Sequence, residues 1–359
     1  MRIAIDAMGG DYAPREIVRG AVLAIKHLKK EITTVYMVGD QNSIMLELIA
    51  CKADVGGFLE IIHAPENVQM DESPASAVRR KKQASINVCM NMLRDGKADV
   101  VISAGNSGAV CTSAVMTLGR IPGVSRPVIA MAMPTRRPGR PFLLIDAGAN
   151  TDCEPEWLSQ FAIMGTVYSR HVLRRSNPVV GLLSIGTEDC KGNELTKKAF
   201  PLLKAQPGIN FRGNCEGHDL FEGDLDVVVT DGFVGNIVLK TIESAARAIG
   251  SWMKEEFVRH PLRQLGALFL RGALMAMKRK MDPEVYGGAP LLGVPGTVII
   301  THGASSSRAI YHAVIAGINA ARNNVTKEIE ERLGNPDAPV PALPAEAAPI
   351  LEHTEPPES

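Results

Sequence analysis

The 359-residue sequence has few aromatic residues, no net charge and no long apolar run. Lysine plus arginine number 39, as do aspartate plus glutamate, and aromatics are 4% of the chain. Zero net charge argues against a dedicated nucleic-acid-binding protein, which is usually strongly basic. No apolar run approaches the ~20 residues of a membrane span, and Asp6 interrupts the first one too early for a signal peptide. We therefore expect a cytoplasmic protein that does not bind nucleic acid.

The signatures of metal, nucleotide and acyl-enzyme chemistry are also missing. The 6 cysteines include no C-x-x-C pair, and the 8 histidines form no H-E-x-x-H motif, so we predict free thiols in a reducing compartment and no metal site. The phosphate-binding G-x-x-x-x-G-K-[ST] loop, the dinucleotide fingerprint and the G-x-S-x-G nucleophile elbow are absent as well. The sequence therefore predicts no cofactor.

Short, continuously apolar segments recur along the chain, and each ends in a loop rich in Gly, Asn or Asp. They are Ile3–Asp6, Val100–Ser103, Phe142–Asp146, Val179–Ser184, Val227–Thr230 and Val298–Thr301. Continuous apolar strands are buried on both faces, so this pattern predicts a mainly parallel sheet covered by helices, a three-layer αβα fold. If the sheet is parallel, all six loops lie at one edge, where such sheets bind ligands.

Two segments break this rhythm. Residues 334–359 contain seven prolines, five acidic residues and no Lys or Arg, which predicts a disordered acidic tail after a single catalytic domain, 1–333. Residues 237–281 are long helices broken at Pro261, and residues 261–281 contain five basic residues and no acidic one. Such a basic amphipathic segment suits a partner helix or an anionic membrane surface, although ordinary core packing is an equal alternative. Its candidate contact residues are Leu262, Leu265, Leu268, Phe269, Arg271, Lys278, Arg279 and Lys280.

Most candidate ligand-binding residues lie in the loops that follow the strands. Amide donors orient phosphate or an oxyanion without a titrating group, glycines let backbone N–H groups approach an anion, and Lys191 supplies a cation. The alternatives are helix caps for Asn and Asp and a solvated surface for Lys191. The candidates are Asp6, Gly9, Gly10, Asn106, Asp146, Asn150, Lys191, Asn193, Asn214, Asp231, Gly235 and Asn236.

Two further features carry charge. His302 directly follows a strand and is the best-placed acid or base, although a core or capping histidine is the more frequent role. The run Arg79–Lys82 is expected to open a helix as a solvated face, or to meet an acidic protein partner.

Seven sequence blocks, in order from Met1 to about Leu333, resemble the bacterial phosphate acyltransferases of phospholipid synthesis, the PlsX family. Val234 and Ser107 stand where the family blocks have threonine, so Val234 offers no hydroxyl to a ligand. The blocks are IAIDAMGGD at 3–11, SAGNSGA at 103–109, IDAGAN at 145–150, KGNE at 191–194, GNCEG at 213–217, DGFVGN at 231–236 and YGGAPLLG at 286–293.

The resemblance implies conversion of acyl-[acyl-carrier protein] and inorganic phosphate into acyl phosphate and free carrier protein. It also implies a fold like isopropylmalate dehydrogenase and phosphotransacetylase with a protruding helical hairpin, a homodimer, and peripheral association with the inner face of the cell membrane. There the product would feed a membrane glycerol-3-phosphate acyltransferase.

This reaction would explain the missing nucleophile, because phosphate can attack the thioester directly without a covalent acyl-enzyme. We expect phosphate between Lys191, Asn193 and the Gly235–Asn236 loop, with Asn106 and Asn150 in the same pocket. His302 would protonate the leaving thiolate, a step that is optional. The alternatives are a phosphotransacetylase-like enzyme using acyl-coenzyme A, a metal- and NAD-dependent hydroxyacid dehydrogenase, and a non-enzymatic membrane-associated scaffold that binds carrier protein.

Overall fold

The computed structural model describes residues 1–53, 56–280 and 283–334. Its centre is an 11-stranded sheet. The strands are β1 Arg2–Asp6, β2 Thr34–Gly39, β3 Leu59–His63, β4 Val100–Ser103, β5 Val128–Met133, β6 Phe142–Ile145, β7 Val179–Leu183, β8 Asn210–Cys215, β9 Val227–Val229, β10 Ala289–Leu292 and β11 Thr297–Ile300. All six strands predicted from the sequence are present.

Helices connect most of these strands. They are α1 Arg15–His27, α2 Gln41–Ala50, α3 Pro74–Arg80, α4 Ser85–Arg94, α5 Ser107–Leu118, α6 Pro155–His171, α7 Glu194–Ala205, α8 Gly232–Val258, α9 Pro261–Phe269, α10 Arg271–Lys280, α11 Ser307–Arg322 and α12 Val325–Gly334. The basic run Arg79–Lys82 closes α3 and continues into the turn before α4, so the prediction that it opens a helix is wrong.

The sheet reverses direction at its middle. Its order is β3-β2-β1-β4-β11-β10-β5-β6-β9-β7-β8. The first five strands are mutually parallel and so are the last four, but β11 with β10, β10 with β5, and β5 with β6 pair antiparallel. Three antiparallel pairings point the two parallel groups in opposite directions. The expectation that all six loops share one edge is therefore wrong: those after β1, β4 and β11 lie at one edge, and those after β6, β7 and β9 at the other.

Helices cover both faces of the sheet, which confirms the αβα fold. Successive strand residues point to opposite faces, so Ala4 joins a core cluster with α3, α4, α5 and the start of α8, whereas Ile3 and Ile5 join one with α1 and α11. A third cluster packs α6 and α7 against the second half of the sheet. Buried strand residues on both faces explain why the apolar runs in the sequence are continuous.

The long helices after β9 lie mostly in solvent. In α8 only Gly232, Gly235 and Leu239 are buried, and α9 buries no residue. Pro261 is the first residue of α9, where its missing N–H costs nothing. Within the described ranges, no helix is both long and apolar enough to cross a membrane. Residues 335–359, which make up nearly all of the predicted acidic tail, lie outside the described residues, as does Met281.

Candidate active site

Three neighbouring strands, β6, β9 and β7, end at the same edge of the sheet, and their loops form one surface. β9 pairs in parallel with both β6 and β7. Backbone hydrogen bonds continue past the strands, from Thr230 N to Ile145 O at 2.7 Å and from Asp146 N to Thr230 O at 3.1 Å. This pairing brings together the loop that carries Asp146 and Asn150 and the loop that carries Asp231 and Asn236. The loop with Lys191 follows the next strand, β7.

The buried carboxylate of Asp146 organises the loop after β6. It accepts hydrogen bonds from Gly148 N and Ala149 N at 2.9 Å, and from Asn150 N and Nδ2 at 2.8 Å. Burial raises the pKa of Asp146, and these N–H donors oppose that shift. Asn150 Nδ2 also donates to Pro127 O at 2.8 Å. In this structure both side chains are therefore engaged in shaping the turn.

The loop after β9 leads directly into α8. Asp231 caps the helix by accepting from Val234 N at 2.8 Å, while the Val234 side chain packs against the core. Gly235 lies against the backbone carbonyl of Asp146, with no room for a side chain. Asn236 is exposed, and its side chain lies 3.4–3.7 Å from where a Cβ on Gly148 would be. The N-terminus of α8 and Asn236 thus face the Asp146 turn.

The loop after β7 carries the cation. Lys191 is exposed and passes beside Gly186, whose absent Cβ would lie 2.8 Å from Lys191 Cγ. Gly192 has φ +114°, a left-handed conformation that favours glycine. Asn193 then caps α7 by accepting from Thr196 N at 2.9 Å, so a second helix N-terminus lies next to Lys191.

Asn214, at the end of β8, is buried beneath the Lys191 loop. Its Nδ2 donates to Glu188 O at 2.8 Å. This bond connects β8 to the loop after β7, so Asn214 positions the loop that presents Lys191.

Apolar side chains border this surface, and the sequence reasoning missed them. Ile185, two residues after the end of β7, is 79% exposed, and Phe233, in the first turn of α8, is 60% exposed. Ile237 is exposed one turn further along α8. The available signal was a large apolar residue inside a Gly-rich loop or in the first turn of the helix that follows it.

The remaining predicted residues gather at the opposite edge. The buried Asp6 accepts from Ser103 Oγ at 2.7 Å, and desolvation raises the pKa of Asp6. A Cβ on Gly9 would lie 2.7 Å from both Asp6 Oδ2 and Gly105 N. These contacts join the loops after β1 and β4 into a tightly packed unit.

Three further residues lie at that edge. Asn106 caps α5 by accepting from Ala109 N at 3.2 Å, and it donates to Met70 O at 2.9 Å. Gly10, with φ +104°, packs against the carbonyl of Gly303. His302 is exposed, and its Nδ1 accepts from Ala304 N at 3.1 Å. The structure thus gathers the predicted residues into two groups, with Asn106 and His302 in the group that lacks Lys191.

The predicted contact segment is strongly exposed. Leu262, Leu265, Leu268 and Phe269 of α9 all face solvent, with Phe269 81% exposed, and Arg271 at the start of α10 is exposed too. Arg263 forms an ion pair with Glu256 of α8 at 2.5 Å, and Arg259 pairs with the same carboxylate at 2.6 Å. Lys278, Arg279 and Lys280 belong to α10, but their side chains are outside the description.

Comparison with known proteins agrees with this architecture. A family model described as "Fatty acid synthesis protein" matches residues 1–328. The chain is 46% identical to the phosphate acyltransferase of Pelotomaculum thermopropionicum over 333 residues, which covers 93% of this chain and 95% of that protein. It is also 48% identical to the phosphate acyltransferase of Aquifex aeolicus over 318 residues, covering 88% and 92%. The chain belongs to the phosphate acyltransferase family.

The fold of this phosphate acyltransferase family member is shared with more distant proteins. A phosphotransacetylase from Streptococcus pyogenes superposes with a TM-score of 0.60 at 17% identity, over 89% of this chain and 94% of that one. At this identity the likeness shows a common fold, as the resemblance to phosphotransacetylase implied.

Proposed function

We propose that this protein transfers the acyl group of an acyl-[acyl-carrier protein] to inorganic phosphate, releasing acyl phosphate and free carrier protein for phospholipid synthesis. The observation that carries the proposal is that the adjacent parallel strands β7 and β9 are each followed by a helix N-terminus, with Lys191 just before α7 and Asn236 near the start of α8. Family membership supplies the reaction class.

This arrangement has the chemistry of an anion site. Each helix N-terminus favours a negative charge by about 0.3–1 kcal/mol at an exposed position. Lys191 adds a full charge and Asn236 a neutral amide donor. We assign phosphate to the space between Lys191, Asn193 and the Gly235–Asn236 turn, with Asp146, Asn150, Asn214 and Asp231 holding the surrounding loops.

The reaction then needs no enzyme nucleophile. A phosphate oxygen attacks the thioester carbonyl carbon, the tetrahedral oxyanion collapses, and the C–S bond breaks with its electron pair on sulfur. The thiolate takes a proton from solvent, so proton donation by His302 is optional. Alignment of the reactants supplies several kcal/mol, and a positioned donor such as Asn236 contributes about 3 kcal/mol towards the oxyanion.

The exposed apolar residues at the rim suit an acyl substrate. Ile185, Phe233 and Ile237 belong to the loops and the helix start that border the proposed phosphate position, and all three are exposed. Covering them with an acyl chain would recover about 25 cal/mol per Å² of apolar surface. We assign these three side chains to the part of the acyl chain near the thioester.

We further place the protein at the cytoplasmic face of the membrane, as a homodimer with α9 and α10 against anionic lipid. The exposed apolar side chains of α9 and the adjacent cation Arg271 support this placement. A labile acyl phosphate would then be released next to a membrane glycerol-3-phosphate acyltransferase that consumes it.

The deciding experiment incubates the protein with acyl-carrier protein and isotopically labelled phosphate, and identifies the products by mass spectrometry. Labelled acyl phosphate is expected, and its absence would refute the proposal. A parallel reaction with acyl-coenzyme A separates the phosphotransacetylase-like alternative.

The phosphate assignment has its own test. Lys191→Ala should raise the KM for phosphate, whereas Lys197→Ala, which removes an exposed lysine from α7, should leave it unchanged. An unchanged phosphate KM in a folded Lys191→Ala variant would contradict the assignment.

A further inference from the structure

The outer surface of α3 and α5 combines exposed cations with exposed apolar side chains. We propose that this surface, comprising Arg79, Lys82, Val115 and Met116, docks the acidic carrier protein that delivers the acyl thioester. The inference rests on the proposed function and adds the place where the partner binds.

A buried asparagine holds the two helices together at this surface. Asn87 of α4 donates to Val78 O at 3.0 Å and to Lys81 O at 2.8 Å, and its Oδ1 accepts from Ser113 Oγ of α5 at 2.6 Å. Arg79 directly follows Val78 and Lys82 directly follows Lys81, the two residues whose carbonyl groups accept these hydrogen bonds. Val115 and Met116 are exposed residues of α5, and α3 packs against α5, since a Cβ on Gly108 of α5 would lie 2.8 Å from Pro74 Cγ of α3.

The cations of this surface are available to a partner. In the same basic run, Arg80 and Lys81 both pair with Glu72, at 2.9 Å and 2.5 Å. Arg79 and Lys82 are exposed, and neither has an ion pair with the residues that the structure describes. On the neighbouring helix α5, Met116 is 52% exposed and Val115 is also exposed. A basic surface with an apolar centre fits an acidic partner that also carries apolar residues.

The chain connects this surface to the proposed active site. The C-terminal end of α5 leads through residues 119–127 into β5, and that connection contacts the Asp146 turn. Asn150 Nδ2 donates to Pro127 O at 2.8 Å, and Ala147 N donates to Ile129 O at 2.9 Å. The α5 residues Cys111 and Leu118 also pack in the same core cluster as Val234 of α8. A carrier protein docked on this surface would deliver its flexible arm along residues 119–127 towards the Asp146 turn, which lies against Asn236.

Charge favours an acidic partner over a second copy of this chain. In a two-fold interface the same patch lies on both subunits, so a dimer whose axis passes through this patch would bring the cations of the two subunits together. Like charges opposed across an interface are unfavourable. The carrier protein, being acidic, meets the same cations with attraction.

The test is a double charge reversal, Arg79→Glu with Lys82→Glu, assayed with acyl-carrier protein. We expect the KM for acyl-carrier protein to rise about tenfold at low ionic strength, because charges at the rim of an interface steer association. The salt dependence of kcat/KM should become weaker, since fewer opposite charges are screened. The KM for phosphate, and turnover of the same acyl group on N-acetylcysteamine, should remain at wild-type values.

A matched control is Lys29→Glu with Lys30→Glu, which reverses two adjacent exposed cations directly after α1, a helix on the opposite face of the sheet. This variant should keep the wild-type KM for carrier protein. Met116→Asp, which keeps both cations, should weaken carrier-protein binding measured directly by fluorescence anisotropy. An unchanged carrier-protein KM in the double reversal, an equal effect in the control, or dissociation of an oligomer by the reversal would overturn the inference. Wild-type protein that does not turn over acyl-carrier protein would instead refute the proposed function.

Discussion

Replacing Gly235 by alanine should damage both folding and phosphate use, because this residue sets how closely α8 approaches β6. A Cβ at Gly235 would overlap the backbone oxygen of Asp146 and would lie 3.0 Å from its carbonyl carbon and from Thr230 Cγ2. A carbonyl oxygen fixed in the turn cannot rotate away as the end of a long side chain can. The helix must therefore move outward, carrying Asn236 with it.

The expected magnitude combines two opposing effects. Alanine gains about 0.5–1 kcal/mol over glycine inside a helix. Overpacking of a tight contact costs typically about 1–3 kcal/mol, and more where backbone must shift. The net result at Gly235 should be a loss of about 1–2 kcal/mol in the free energy of unfolding. A misplacement of about 1 Å at reacting groups costs on the order of 100-fold in rate, so kcat/KM for phosphate should fall by about 10- to 100-fold.

The matched control lies in the same helix. Gly250 of α8 is exposed, and a Cβ there would meet nothing within 4 Å, so Gly250→Ala should stabilise the protein by the helix gain alone and keep full activity. Denaturant unfolding and initial rates at varied phosphate measure both variants. If Gly235→Ala is as stable as Gly250→Ala and its phosphate KM is normal, the close contact between α8 and the Asp146 turn is not needed.

Three other predictions use separate parts of the molecule. Burial raises the pKa of Asp6, so the stability that this group contributes is full below its unfolded pKa and is lost as the pH rises through its folded pKa. The free energy of unfolding of Asp6→Asn, relative to that of wild type, should therefore increase as the pH rises from the unfolded pKa through the folded pKa of Asp6. A difference between the two proteins that does not change with pH would contradict this. Asn193→Ala should lower the free energy of unfolding by about 1 kcal/mol, measured with denaturant, because it removes the acceptor for Thr196 N. Asn193→Asp should keep this helix cap but weaken the binding of phosphate. Equal losses of stability in the two variants would disprove the capping role. Leu268→Glu with Phe269→Glu should abolish flotation with anionic liposomes while leaving turnover in solution intact, and unchanged flotation would exclude α9 from lipid contact.

The six predicted strands were recognisable because burial on both faces makes their sequences continuously apolar. Two of the other strands have weaker signals. β5 contains Met131, Ala130 and Ala132, residues with modest strand preference, and β10 begins with Ala289 and Pro290. These two strands make the antiparallel pairings at the centre of the sheet. Since an apolar run shows burial but carries no direction, the reversal of the sheet was not predictable from the pattern.

The same reversal limited prediction of the site. Sequence reasoning placed Asn106 and His302 with Lys191 because it assumed one common edge. To tell which candidate residues lie together, one needs the order of the strands in the sheet. That order places β7 beside β9, and both strands far from β4. The exposed rim residues Phe233 and Ile185 were missed for a different reason: their apolar character in or beside a Gly-rich loop marks them as candidates, but the sequence does not show that they are exposed.

The hydrogen bonds of the asparagine side chains indicate which of them are available to bind an anion. Of the five in Gly-rich loops, Asn106 and Asn193 cap helices, Asn150 holds the Asp146 turn and Asn214 holds the Lys191 loop. Asn236 is exposed, and its side chain has no hydrogen bond to the residues that the structure describes. Four amides are thus committed to loop geometry, which is what the capping preference of asparagine favours. Asn106 lies at the opposite edge, so an anion at the Lys191 edge would be bound chiefly by Lys191, Asn236 and the backbone N–H groups that Asn150, Asn193 and Asn214 hold in position.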